Sequence, residues 1–210
     1  MLSQLKPKIE KYFTDPGHEF DHTERVYKLA VRIAKEENAD LDVIKAAALL
    51  HDVGRHKEDP EKGICHAEES AKIAPEILKS INFPEEKVSK VVHAIKVHRY
   101  SKQLKAETKE AEILQDADRL DALGAIVIGR VFARGGSKHR PIHDPGIEPE
   151  KEYNVKTKAK TSMSHFYQKI LKIKPETFKT KLAQKIAKER YAYVKDFVER
   201  FEKEWKGEDG

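Results

Sequence analysis

Several features that define large protein classes are scarce or missing here. One cysteine, Cys65, stands among 210 residues, so no intramolecular disulfide forms and a reducing compartment is expected. No apolar stretch reaches bilayer length. The longest, residues 120–133, is interrupted by Asp121, Gly124, Gly129 and Arg130, whereas a span needs about 20 apolar residues. Residues 1–7 hold no long apolar region, which predicts no signal peptide, a cytoplasmic location and no membrane partner. Strand-type alternation of useful length is also missing, as are internal repeats, a P-loop and a dinucleotide-binding glycine fingerprint. What remains is an all-α chain.

What is abundant is charge. Charged residues make up 37% of the chain, and 41 basic against 36 acidic side chains leave a net charge of +5. The excess is spread along the sequence rather than gathered in a tail. It favours anionic ligands such as phosphates without demanding nucleic acid. The length suits one domain with a helical extension and a real core.

Helical signals recur along the chain. Residues 5–14 predict a short helix closed by Asp15-Pro16-Gly17. Asp21 reads as an N-cap with Glu24 completing a capping box, and Val26, Leu29, Ala30, Ile33 and Ala34 keep helical spacing behind it. His22, four residues before Val26, shares that inward face. Asp40 caps a helix whose Val43, Ile44, Ala47 and Leu50 lead into His51-Asp52-Val53-Gly54, where the helix should end. After a polar loop over 55–63, a helix is expected from His66 through Leu78, kinked at Pro75. Another follows from Pro84, with Val88, Val91, Val92 and Ile95 inward and His98 at the edge of the face. His93 points the other way, to the surface or to a supporting position.

The pattern over 107–134 predicts one long central helix with Leu114, Asp118, Asp121, Ala125 and Ile128 on one stripe. Two carboxylates on a buried stripe are costly without partners. Arg119 or Arg130 can supply them, and so can a metal ion; Asp116 falls off the stripe. Residues 135–160, rich in Gly and Pro, predict a long irregular loop carrying Lys138, His139, Arg140 and His143. Over 176–205 the buried side is expected to be Phe178, Leu182, Ile186, Tyr191, Val194, Phe197, Val198, Phe201 and Trp205.

Seven of the ten histidines lie between His18 and His98. His22, then His51-Asp52, then Asp118 stand in order on three helices. Two imidazoles and two carboxylates suit one divalent ion and leave positions for water.

With the local words His22-Thr-Glu-Arg-Val, Leu50-His51-Asp52-Val53-Gly54 and Asp116-Ala-Asp118-Arg-Leu-Asp121, this order resembles the HD-domain metal-dependent phosphohydrolase superfamily over residues 18–135. The Asp-His-x-Glu-Arg-Val form and the tail Ser164-His-Phe-Tyr…Glu-Arg-Tyr…Glu-Trp are similar to a small bacterial and archaeal branch. That branch is related to nucleoside triphosphate pyrophosphohydrolases. The resemblance implies a helical bundle with His22, His51, Asp52 and Asp118 as ligands of a divalent ion: Mn, Ni, Fe, Co, Mg or Zn. His66 and His98 fall near second-metal histidines of binuclear members. Guanosine tetraphosphate hydrolases carry an acidic pair where Arg55 and His56 stand, and some nucleoside monophosphatases place a catalytic Glu at Arg55. The Gly-Tyr-Pro word of cyclic dinucleotide phosphodiesterases is missing, although Arg55 falls at their phosphate-contacting Lys.

The division expected is a metal-binding helical core over 1–135, a basic loop over 136–163 and C-terminal helices over 164–210. The activity expected is hydrolysis of a phosphoester or phosphoanhydride in a phosphorylated small molecule, with a nucleotide triphosphate favoured. Asp52 or Asp121 would act as general base, and Arg55, Arg99 and Arg25 would neutralise phosphoryl charge. Lys138 and Arg140 would grip a polyphosphate. An HD-type nuclease and a non-catalytic metal- or nucleotide-binding module are the alternatives. Basic residues interleaved with Glu, without an aromatic-basic groove, count against nucleic acid.

Overall fold

A computed structural model describes residues 2–13, 20–147 and 159–208. The expected Asp15-Pro16-Gly17 turn and residues 148–158 of the basic loop lie outside them. Among the described residues there is no strand, only an isolated bridge between Asp59 and Ile64. The fold is all-α. Two compact units divide it, residues 1–120 and 121–210.

The first unit holds α1 (Leu2–Ile9), α2 (Phe20–Glu36), α3 (Leu41–Leu50), α4 (His66–Lys79), α5 (Glu85–Val97) and α6 (Lys109–Leu120). α3 is its axis. Asp40 starts this helix by accepting the amides of Asp42 at 3.0 Å and Val43 at 3.3 Å, a cap worth about 1 kcal/mol. The run that follows, from Ala46 to Leu50, is buried to the last residue, which suits a helix apolar all round. α2 and α5 pack on it, and α2 and α5 also pack on α6. The three alanines let these helices approach closely, while Ile44, Leu49 and Leu50 each contribute about 1.5–3 kcal/mol of burial.

Helix α2 begins at Phe20, so Asp21 lies inside the first turn rather than capping it. There its charge still favours the positive helix end. α4 runs unbroken through Pro75. Its seating depends on Gly54. A Cβ on that residue would stand 2.4 Å from the Ser70 amide nitrogen, and the Gly54 N–H donates to Ser70 Oγ at 2.8 Å. Only glycine lets the turn after Asp52 lie directly on α4.

The long central helix expected over 107–134 is two helices. α6 stops at Leu120, and α7 (Ala125–Ser137) begins after Gly124, whose φ of 87° is costly for other residues. The periodicity misled because helical spacing carries on past Leu120 into apolar residues and only four residues separate the two pieces. The second unit continues with α8 (Ser162–Gln168) and α9 (Lys181–Lys206). Phe132, Phe166, Phe197 and Phe201 form its aromatic cluster. Phe178, Ile186, Val194 and Val198 are buried as expected, but Trp205 stacks on Phe201 with half its surface exposed. It is the penultimate residue of α9, where the packed face runs out.

Candidate metal centre

Helix ends of the first unit carry every member of the cluster. His22 is in the first turn of α2, His51 and Asp52 follow α3, and His66 is the first residue of α4. His98 follows α5, and Asp118 is in the last turn of α6. Helix ends suit this role because a side chain there can leave the cylinder and point across the bundle.

The rings are oriented from behind. His51 Nδ1 donates to Ala48 O at 2.8 Å, His98 Nδ1 to Ile95 O at 2.7 Å, and His66 Nδ1 to Glu58 Oε1 at 2.8 Å. Each partner only accepts, so the proton sits on Nδ1 and Nε2 is left with a bare lone pair. These nitrogens converge on Asp52. His22 Nε2 lies 3.3 Å from Asp118 Oδ1, 3.4 Å from His51 Nε2 and 3.8 Å from Asp52 Oδ2, and His51 Nε2 lies 3.7 Å from that same oxygen. Asp52 Oδ1 faces the other way, 3.5 Å from His66 Nε2 and 3.9 Å from His98 Nε2. Among the described residues it has no hydrogen bond, although Asp52 is buried.

A divalent cation fits this donor set. Ligands about 2.1 Å from an ion stand about 3.0 Å apart along an octahedral edge and about 3.4 Å along a tetrahedral one. His22 Nε2 matches that spacing to Asp118 Oδ1 and His51 Nε2, whereas Asp52 Oδ2 stands wider, 3.8 Å from His22 Nε2 and 3.7 Å from His51 Nε2. Among the described residues, His22–His51–Asp118 and His51–Asp52–His98 are the two groups with ligand atoms close enough to share an ion; His66 is in neither. His66 joins His98 on the side of Asp52 Oδ1, whereas His51 lies against Oδ2.

The electrostatics agree. Burial pushes His51 and His66 down to about 4, against the pull of Asp52, so both imidazoles are neutral near pH 7. Burial alone would raise Asp52, but His51, Arg55, His98 and His66 outweigh it and hold the carboxyl well below the usual range. Asp118 is likewise held low, burial being outweighed by the bond to His22 and the neighbouring imidazoles. Neutral imidazoles and ionised carboxylates are the protonation states that metals need.

A polar network flanks the cluster. Arg55 Nε donates to Asp52 Oδ2 at 2.8 Å, and its Nη1 lies 3.5 Å from Glu58 Oε2. Arg99 Nη1 donates to Glu58 Oε1 at 2.7 Å. Sequence reasoning missed Glu58, since a carboxylate in a polar loop shows no periodicity. Its spacing of three from Arg55, across the 3₁₀ turn Arg55–Lys57, was the available signal. Arg25 is half-buried on α2. His93 Nε2 accepts the Glu107 amide at 3.1 Å, a structural role. In the second unit Asp121 is buried and paired with Arg130 at 2.9 Å, while Lys138 and Arg140 follow α7. Asp116, off the expected stripe, is fully buried.

Comparison with known proteins decides the family. Residues 20–123 match the HD domain. An HD-superfamily hydrolase from Bacillus thuringiensis is 36% identical, with 96% of this chain and 98% of that one covered and a TM-score of 0.71. The chain belongs to the HD superfamily. A Lactobacillus plantarum protein shares 30% identity over 98% of this chain and 97% of its own, with a TM-score of 0.76. Bacillus subtilis YpgQ, crystallised in complex with ADP, shares 28% over 99% and 96%, with a TM-score of 0.71. HD domains bind divalent metals, and the His/Asp groups described above can hold one here.

Proposed function

We propose that this HD protein is a metal-dependent phosphohydrolase that cleaves a phosphoanhydride bond of a nucleotide, a triphosphate being favoured. The observation that carries the reading is the Asp52 carboxylate. Its Oδ2 faces His22 and His51, and its Oδ1 faces His66 and His98 without a hydrogen bond among the described residues. His22, His51, Asp118 and Asp52 Oδ2 would hold one ion. Asp52 Oδ1, His66 and His98 would hold a second. The crystallisation of YpgQ with ADP supports a nucleotide as the ligand class.

When bound, such ions supply Lewis acidity and lower the pKa of water toward neutrality. The chain's own residues do the rest. Asp52, beside the proposed ions, and Asp121, already engaged by Arg130, are the candidates to receive the proton of the attacking water. Arg55 and Arg99 have N–H groups beyond those given to Asp52, Glu58 and Ser101. Their planar forks would neutralise charge on the phosphoryl oxygens. Arg25, Lys138 and Arg140 are proposed as further polyphosphate contacts.

The test is a metal-by-substrate screen over nucleoside mono-, di- and triphosphates, with phosphate and pyrophosphate measured separately. Metal-dependent release from a triphosphate, lost in Asp52→Ala, is expected. Robust monophosphate turnover without triphosphate hydrolysis would overturn the substrate choice. Hydrolysis of neither with any ion would favour a binding module.

A further inference from the structure

The inner imidazoles are not supported alike. His51 and His98 each lean on a backbone carbonyl three residues earlier, Ala48 O and Ile95 O. Their own helix ends supply these acceptors, so no side chain is needed to set the ring. His66 opens α4 and has no preceding helical turn to lean on. Its Nδ1–H instead donates to Glu58 Oε1, in the loop eight residues earlier.

Glu58 is itself held firmly. Arg99 donates to its Oε1 at 2.7 Å, and Arg55 Nη1 lies 3.5 Å from its Oε2. Through Arg55 Nε and Asp52 Oδ2 the chain of contacts returns to the bridging carboxylate, and His66 Nε2 closes the ring on Asp52 Oδ1. A carboxylate behind an imidazole fixes its tautomer and strengthens Nε2 as a donor more than a neutral carbonyl does.

We infer that Glu58 is the positioning carboxylate of the second ion, acting through His66, so that one of the two ions depends on a side chain that does not touch it. The inference rests on the two-ion reading proposed above. It also makes the arginines beside Asp52 and Cys65 part of the same unit: the carboxylate that orients His66 is the one that holds Arg99 in place.

The experiment is titration of the full-length, metal-free protein with Mn(II) alone, with free Mn(II) read by electron paramagnetic resonance at equilibrium. The wild type is expected to show two classes of site. Glu58→Ala should weaken one class by about 10–100-fold and leave the other unchanged. Glu58→Gln keeps an oxygen for the His66 Nδ1–H but loses the charge, so it should fall between. Arg99→Ala, which removes the other partner of Oε1, should leave both classes present. Two classes in the wild type with neither altered in Glu58→Ala would overturn the role of Glu58 and spare the two-ion reading. Equal weakening of both classes would make Glu58 a structural residue and overturn the inference. One class in the wild type would overturn the two-ion reading, and the inference with it.

Discussion

The two oxygens of Asp52 have different surroundings. Oδ2 is crowded: Arg55 Nε donates to it at 2.8 Å, and His22 and His51 stand within 3.8 Å. Among the described residues, Oδ1 has only the bare nitrogens of His66 and His98 before it, at 3.5 and 3.9 Å. A buried carboxylate oxygen facing lone pairs is costly unless a cation lies between them. The Oδ2 side has an arginine to compensate it even without a metal, whereas the Oδ1 side has no donor among the described residues. The half of the cluster that is worse satisfied alone is therefore the half with more to gain from an ion.

The harshest way to break this comparison is to remove its pivot. Asp52→Ala should abolish both ions by elemental analysis and reduce hydrolysis to background, while the far-UV helix signal survives. Retention of a full equivalent of metal would contradict the bridging role. Less drastic changes should separate the halves. Asp118→Ala should lose the ion at His22 and His51, and His66→Ala only the ion at Oδ1, so that the latter retains about one equivalent. Loss of both ions in His66→Ala, or of none in Asp118→Ala, would erase the distinction.

Gly54→Ala sharpens the comparison through the backbone. A methyl 2.4 Å from the Ser70 nitrogen must push α4 away, at a cost of about 1–3 kcal/mol. Because α4 carries His66, Mn(II) affinity should fall more at the Oδ1 site than at the His22 site; an equal fall would show that the turn serves both. The mildest test is pH. In the chelated protein His51 and His66 stay neutral down to about 4, whereas unfolded histidines protonate near 6.5. The unfolded chain then binds more protons, so this stability is present above about pH 6.5 and is lost as pH falls toward 4. His165, also pushed down to about 4 by burial and by Lys169, Arg140 and Arg134, adds to the same trend. His66→Gln should flatten the slope of thermal stability against pH over that window; an unchanged slope would remove His66 from it.

The all-helical class and the HD family were legible because the apolar spacing and the words around His22, His51-Asp52 and Asp118 are local. The convergence of these four residues follows from the order of helix ends, which sequence can suggest. The second half was harder. His66 and His98 sit beside Asp52 because Gly54 seats α4 on the turn and α5 packs against both α3 and α4, and such packing leaves no mark in periodicity. Glu58 was obscured for the same reason: its hydrogen-bond partners His66 and Arg99 are eight and 41 residues away, and only Arg55 is local. The break between α6 and α7 was hidden by helical spacing that carries on past Leu120 into apolar residues, with Gly124 the sole conspicuous cue.

The most direct measurement is anomalous X-ray scattering from crystals of the wild-type protein grown with Mn(II). Two peaks should flank the Asp52 carboxylate, about 3.5–4 Å apart as in two-metal sites, one within bonding distance of His22, His51 and Asp118 and the other of His66 and His98. A single peak on the Oδ2 side, with the His66 and His98 Nε2 atoms hydrogen-bonded to water or protein instead, would contradict the two-ion centre.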